Sequence, residues 1–273
     1  MISTIRVIYS SSFSGKTYFV IIVNIPTINV RKVIQTEISS ATDAIEAVSL
    51  EFLKLINRTI KTTENAEIIK THNHVWVTDE NFTFNLIRAK SLLRKILQSG
   101  LHGNLRFFIS SWANIDEEFL DLAKQCNIKI ISFGIESGNK KILRFYRKNI
   151  NIDKVPSIIR YANSLGIFTV GNFIIGAPME SESTITETFD LIKECEFDQI
   201  NIKNLDYMIG STLYEELDDK LKTDDHVFAC LENGLNVFPL DEIKRIKDTF
   251  RSEYYNLHRP VIAKKIHLYG TPF

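Results

Sequence analysis

Lysine, acids and paired histidines beside apolar runs are the side chains of this sequence best placed for chemistry. Ser14-Gly15-Lys16-Thr17 sets a cation and two hydroxyls around a glycine, which is the tail of a phosphate-cradling loop. Asp79 and Glu80 close the short run HVWVTDE, and Glu136 ends the apolar run KIISFGI. An ionised carboxylate at such a position costs several kcal/mol unless it is paired or ligand-bound, so Glu136 is a candidate site residue. His72 and His74 are one residue apart, so on a strand they share a face and suit acid–base work near neutral pH, unless the pair lies outside the pocket.

Composition removes several classes of function. The chain has 273 residues, 44% hydrophobic and 24% charged, ordinary for a globular protein with a sizeable core. Its 33 Lys and Arg balance 33 Asp and Glu, so no net field indicates nucleic acid or an anionic membrane. Cys126, Cys195 and Cys230 are far apart and form no CxxC or Cys/His cluster, which predicts buried thiols in a reducing compartment and no metal site. No apolar run approaches the roughly 20 residues of a membrane helix, and no cleavable leader is evident, so a cytoplasmic location is expected.

The elements that must position these residues alternate. IRVIY is the first strand, the loop Ser11–Pro26 follows, and Ser40 or Thr42 caps a helix carrying Ile45, Val48, Phe52 and Ile56. HVWVTDE is the next strand, and Leu86, Ala89, Leu93 and Ile96 predict a helix from near Phe82, closed at Gly100, with Asp79 and Glu80 either lining the cavity or capping that helix. LRFFIS, KIISFGI and TVGNFII continue the pattern with helices from Asp116, around 139–148, from Asp153 and from Ser183. QINIKNLDYM is a last strand. Such alternation implies parallel pairing with ligand groups at the carboxyl ends of the strands, here an open partial barrel. A helix from Asp241 places Ile243, Ile246, Phe250, Tyr254 and Leu257 on one stripe, stops at His258-Arg259-Pro260, and covers the barrel's outside or an edge strand.

The opening loop has two readings. As a Walker loop, GxxxxGKS/T, it has Ser10 in place of the first glycine, and the β-branched and aromatic run Tyr18–Val23 ending at Pro26 leaves little helix to meet a phosphate. The nucleotide-binding reading is therefore the weaker one.

The other reading comes from the remaining strand ends. VTDENF, FGIESGNKKILRFYRKNINIDKV, GNFIIGAPMESES and LDYMIGSTLYEEL, in that order and with RSEYYNLHRP at the end, resemble the radical S-adenosylmethionine enzymes, in particular their cobalamin-associated and methylthiotransferase-like branches. The resemblance implies a partial (β/α)6 TIM-like barrel over residues 1–217 with a C-terminal helical extension over 218–273. In that family the first loop reads roughly GCxxxCxxCNIP and its thiolates hold a four-iron cluster. Laid on GKTYFVIIVNIP, the cysteine positions are Lys16, Val20 and Val23, and ammonium or isopropyl groups do not ligate iron. No iron–sulfur cluster and no other metal is expected.

The rest of the cofactor pocket follows from the same resemblance. Glu136 and Ser137 would face the ribose or amino-acid part of S-adenosylmethionine, Lys148 its carboxylate, and Gly176, Ala177, Pro178 and Glu180 its adenine. Tyr207 and Met208, within the stretch to Gly210, would border the pocket. Ile22 and Trp112 replace an aromatic residue and an arginine common in relatives. The expected function is S-adenosylmethionine binding with non-radical methyl transfer or carbon–sulfur cleavage on a small molecule, with Glu136, Glu80 and Lys16 as candidate catalytic residues. The rival is a non-catalytic pseudoenzyme serving as a protein-binding or carrier-recognition module.

Overall fold

The computed structural model describes residues 5–13, 16–23, 74–77, 81–103, 105–223 and 226–269. Seven strands form one sheet in chain order: β1 (Ile5–Phe13), β2 (Lys16–Val23), β3 (His74–Val77), β4 (Arg106–Ser111), β5 (Ile128–Glu136), β6 (Phe168–Ile175) and β7 (Gln199–Asn204). The pairs β2–β3, β3–β4 and β6–β7 are parallel. Helices α1 (Leu86–Ser99), α2 (Glu117–Gln125), α3 (Lys140–Phe145), α4 (Val155–Ser164), α5 (Glu182–Cys195), α6 (Thr212–Glu215) and α7 (Leu240–Tyr269), with short 3-10 turns at Leu101–Gly103, Ile152–Lys154 and Leu231–Asn233, complete the described elements. The expected α/β alternation is present. No described helix is long and apolar enough to cross a membrane.

The first strand and its loop differ from expectation. IRVIY opens β1, which runs antiparallel to β2, and it is β2 that pairs in parallel with β3. Lys16, Val20 and Val23 therefore belong to a strand and not to a loop, with Lys16 opposite Phe13 and Val23 opposite Ile5. The cause is the run Tyr18–Val23, whose β-branched and aromatic residues favour a pleated ladder. The same strand removes the Walker reading, because Lys16 and Thr17 open a strand and not a helix. Gly15, Asn24-Ile25-Pro26, the expected helix over Ile45–Ile56, His72, Asp79 and Glu80 lie outside the described residues.

Two compact units divide the chain, one of Met1–Ser132, Tyr161–Phe168 and Thr271–Phe273, the other of Phe133–Arg160 and Thr169–Gly270. In the first, α1 buries Ala89, Leu92, Leu93 and Ile96 and ends at Gly100 with φ of 72°, the left-handed turn that glycine permits. It starts at Leu86, later than the expected Phe82, and its cap is Asn85, which accepts a hydrogen bond from the Arg88 N–H at 3.0 Å. Asp116 caps α2 through the Phe119 N–H at 2.9 Å, and its carboxylate also meets Lys90 at 2.6 Å. At the end of β4, Asn81 Oδ1 accepts from the Trp112 N–H at 3.1 Å, and the Thr83 and Ser111 hydroxyls lie 2.7 Å apart.

In the second unit, β7 is the edge of the sheet, and α7 covers it. Ile200 turns both its N–H and its carbonyl off that edge, and the Tyr255 hydroxyl takes both, at 3.0 and 3.3 Å. Tyr254 donates to the Phe197 carbonyl at 2.6 Å. Ile243, Phe250 and Tyr254 are buried as the helical stripe predicts, but Leu257 is 73% exposed. The stripe continues at His258, whose ring stacks on Tyr254 at 4.2 Å. Helix α7 also passes through Pro260 to Tyr269. A helix-interior proline costs about 3 kcal/mol and one hydrogen bond, and the helix of 30 residues is not ended by that loss.

Candidate functional site

Glu136 ends β5 with φ of 70°, a left-handed conformation unusual for a residue with a side chain. The chain then turns onto α5. Ser137 is fully buried and shares a 3.1 Å hydrogen bond with Thr188, and the Gly138 N–H donates to the same Thr188 hydroxyl at 3.0 Å. A Cβ on Gly138 would stand 2.5 Å from the Glu187 carbonyl oxygen and 2.8 Å from the Thr188 Cα, so glycine is required by close approach.

Asn139 starts α3 by accepting from the Lys141 and Ile142 N–H groups at 2.8 and 3.1 Å. The helix is short. Arg147 adopts φ of 54° and the Lys148 N–H returns to the Leu143 carbonyl at 2.9 Å, the closing bond of a Schellman turn. That turn swings Lys148 back against the strand end, where its Nζ lies 2.9 Å from Glu136 Oε1, with the two side chains 16% and 13% exposed. Two residues that the sequence proposes separately thus form one ion pair.

The end of β6 is built around Glu180, which is 3% exposed. Its Oε2 accepts from the Gly176 and Ala177 N–H groups at 2.6 and 3.0 Å. Gly176 has φ of 111°, a conformation that L side chains rarely adopt. Asn236 completes the turn by donating from Nδ2 to the Ala177 carbonyl at 2.6 Å, while Pro178 stays exposed. Burial pushes the Glu180 carboxyl above the usual carboxylate range, against the two backbone donors that pull it down. Its other oxygen, Oε1, is buried with no hydrogen-bond partner.

After β7, Tyr207 is buried with Leu205, Leu217, Val227 and Ala229, and Phe145, Tyr146 and Ile174 pack against them. Met208, beside it, is 63% exposed. The Tyr146 hydroxyl is buried without a partner. Burial raises the pKa of this phenol, and the charges of Glu180 and then Glu136 raise it further. Tyr146 therefore stands in the electrostatic reach of both strand ends.

Other polar groups of this unit escaped the sequence reading. Asn201 Nδ2 donates to Asn172 Oδ1 at 3.1 Å, and Asn172 Nδ2 to the Phe133 carbonyl at 3.1 Å, so an amide ladder crosses β7, β6 and β5. The signal was the polar alternation in QINIKN. Asp206 Oδ2 and His226 Nδ1 lie 2.5 Å apart, and nothing in the sequence spacing links them.

These charged and buried polar groups gather at the ends of β5 and β6, and comparison with known proteins shows the family. A family model described as the radical SAM superfamily matches residues 56–192. This chain belongs to the radical SAM superfamily. The match begins beyond Lys16, Val20 and Val23. Among curated relatives, the radical SAM chain is 30% identical over 147 residues to cytidylyl-2-hydroxyethylphosphonate methyltransferase of Streptomyces wedmorensis, covering 51% of this chain and 27% of the relative. It is 36% identical over 86 residues to a putative methylthiotransferase of Methanocaldococcus jannaschii, covering 32% and 19%. It therefore spans about a quarter or less of the length of these two relatives. Among solved structures, the radical SAM methyltransferase TsrM from Kitasatospora setae, with cobalamin and an iron–sulfur cluster bound, matches with TM-score 0.47 and 19% identity over 50% of this chain and 28% of its own. Coproporphyrinogen III oxidase of Escherichia coli matches with TM-score 0.48 and 14% identity over 59% and 39%.

An iron–sulfur cluster needs clustered thiolates. The three thiols of this radical SAM chain are all buried and free, and no group of three His, Cys, Asp or Glu among the described residues is arranged to hold a metal. Burial pushes the Cys126 and Cys195 thiols up to about 12 and raises that of Cys230, opposing the thiolate form. Cys126 donates to the Leu93 carbonyl at 3.1 Å. The described donors do not fit the cluster.

Proposed function

We propose that this radical SAM chain binds S-adenosylmethionine at the ends of β5 and β6 and uses it in polar chemistry, without an iron–sulfur cluster, on a small-molecule acceptor. The observation that carries this reading is the Glu136–Lys148 ion pair at the end of β5 together with the Glu180-held turn at the end of β6, within a single compact unit. The pair has no net charge, as has an α-amino-acid end group, and it exchanges partners without leaving a charge buried: Glu136 takes the ligand's ammonium and Lys148 its carboxylate. Gly176 and Ala177 offer a flat backbone turn to a ring, and Tyr207 and Met208 border it.

S-adenosylmethionine supplies an electrophilic sulfonium. In methyl transfer the acceptor's electron pair forms the bond to the methyl carbon, the carbon–sulfur pair moves onto sulfur as a neutral thioether, and the acceptor's proton passes to a base. A carboxylate beside the sulfonium favours the charged ground state, so the contribution of Glu136 is to bind and orient the donor. Carbon–sulfur cleavage at another carbon of the sulfonium is the companion outcome.

A non-catalytic binding module is the second reading, favoured by Met208 and Ile209, each 63% exposed next to the ligand-bordering Tyr207. Calorimetric titration of the iron-free protein with S-adenosylmethionine, followed by mass spectrometry of the incubated mixture, separates the two. Binding with a demethylated or cleaved product supports the enzyme, whereas binding with the donor intact supports the module.

A further inference from the structure

Beyond β7 the chain doubles back on itself. The Tyr207 N–H donates to the Val227 carbonyl at 2.9 Å and the Ala229 N–H to the Leu205 carbonyl at 3.0 Å, with Asp206 opposite Phe228 in an antiparallel bridge. Alternation along this short ladder buries Leu205, Tyr207, Val227 and Ala229 on one face and leaves Asp206, His226 and Phe228 to the other. There Asp206 Oδ2 meets His226 Nδ1 at 2.5 Å, and the imidazole stacks on the Phe228 ring with centroids 5.5 Å apart. The other carboxylate oxygen, Oδ1, is buried with no hydrogen-bond partner, so the carboxylate is directed at the imidazole. The histidine side chain is 64% exposed against 16% for the aspartate. This ladder lies against the end of β6: the Ala229 carbonyl would stand 3.6 Å from a Cβ on Gly176, and Asn236 reaches the Ala177 carbonyl at 2.6 Å.

We propose that His226, held by Asp206, is the base of the transfer reaction, and that its Nε2 takes the proton of an aromatic acceptor carrying an O–H or N–H group. An ionised carboxylate only accepts hydrogen bonds, so the Nδ1 that faces it carries the ring proton, and the neutral imidazole has its lone pair at Nε2. As the acceptor oxygen or nitrogen forms its bond to the methyl carbon and the carbon–sulfur pair moves onto sulfur, its proton passes to Nε2. The imidazolium so formed faces the Asp206 carboxylate, which has fixed the tautomer and stabilises the new charge. His226 is the catalytic residue and Asp206 the positioning one. Phe228, 37% exposed beside the imidazole, offers a flat ring for the acceptor to lie against. The inference rests on the S-adenosylmethionine reading above and adds to it the base and the class of acceptor.

The test uses catechol as the acceptor probe. Parent, His226→Ala and Asp206→Asn are incubated with S-adenosylmethionine and catechol, S-adenosylhomocysteine and methylated catechol are measured by mass spectrometry, and donor binding to each protein is followed by calorimetry. His226→Ala is expected to bind the donor as the parent does and to lose about a hundredfold in rate, the lower end of general-base catalysis, and imidazole added to the solution is expected to restore part of that rate. Asp206→Asn is expected to lower kcat with the KM for catechol unchanged, because the second tautomer then competes. A rate unchanged in His226→Ala, or a loss that imidazole does not rescue, overturns the base. A changed KM in Asp206→Asn overturns the positioning role. A parent that binds S-adenosylmethionine and yields no methylated catechol overturns the inference while donor binding stands, and a parent that binds no donor overturns both.

Discussion

The Glu136–Lys148 pair carries most of the argument at the scale of single residues, and the prediction there separates binding from folding. Glu136→Gln leaves the Lys148 ammonium, 16% exposed, without its counter-charge, which should lower stability by about 1–3 kcal/mol, below the value for a fully buried pair. Replacing both, Glu136→Gln with Lys148→Met, should restore most of that stability in urea titrations yet leave affinity for S-adenosylmethionine down by at least tenfold. Recovery of both would mean that the pair serves the fold alone. Glu180 gives a pH test. Its carboxyl is raised by burial, so the folded state holds its proton more tightly than the unfolded chain does. The stability linked to that proton is complete below the ordinary carboxylate value, and it is lost as pH rises from there through the raised folded value. Glu180→Gln should flatten the fall in melting temperature over that window, and an unchanged pH profile would contradict the assignment. Glu136 is legible because an acid ending an apolar strand is expensive, whereas Glu180 is legible only through the family resemblance of GAPMESES. Tyr146 was not, because a tyrosine among basic residues reads as surface until the turn at Arg147 is known.

Elements were legible where local chemistry determined them. Asn139, Asp116 and Gly100 stand at or next to the expected ends of α3, α2 and α1 because side-chain caps and the left-handed glycine act within a few residues. The first strand was misread because IRVIY and TYFVIIV are equally β-prone, and only pairing decides which of them joins β3 in parallel. Pro260 misled for a related reason, since its local cost does not show that the helix continues on both sides. The contact of β5 with α5 offers the test at this scale. Gly138→Ala would drive a methyl group to 2.5 Å from the Glu187 carbonyl, with backbone on every near side. Overpacking of this kind costs about 1–3 kcal/mol, and calorimetry should find a lower melting temperature together with weaker ligand binding, because the turn carries Glu136. A variant as stable as the parent would show that β5 and α5 are not pressed together.

For the whole molecule, the match over residues 56–192 shows the family, and the strand-end residues discussed here within that span lie in one compact unit. The fold class was legible because βα alternation is periodic, and the lack of thiolates at Lys16, Val20 and Val23 was legible from the loop's spacing, whereas the burial of Cys126, Cys195 and Cys230 shows only in the packed chain. The central claim is that the cofactor pocket works without iron. It is tested most directly by titrating the iron-free protein with S-adenosylmethionine in a calorimeter, before and after anaerobic treatment with iron and sulfide. The account predicts saturable binding of one ligand per chain with the same affinity in both states and no iron retained after desalting. Binding that appears only after the treatment, together with retained iron and sulfide, would contradict it.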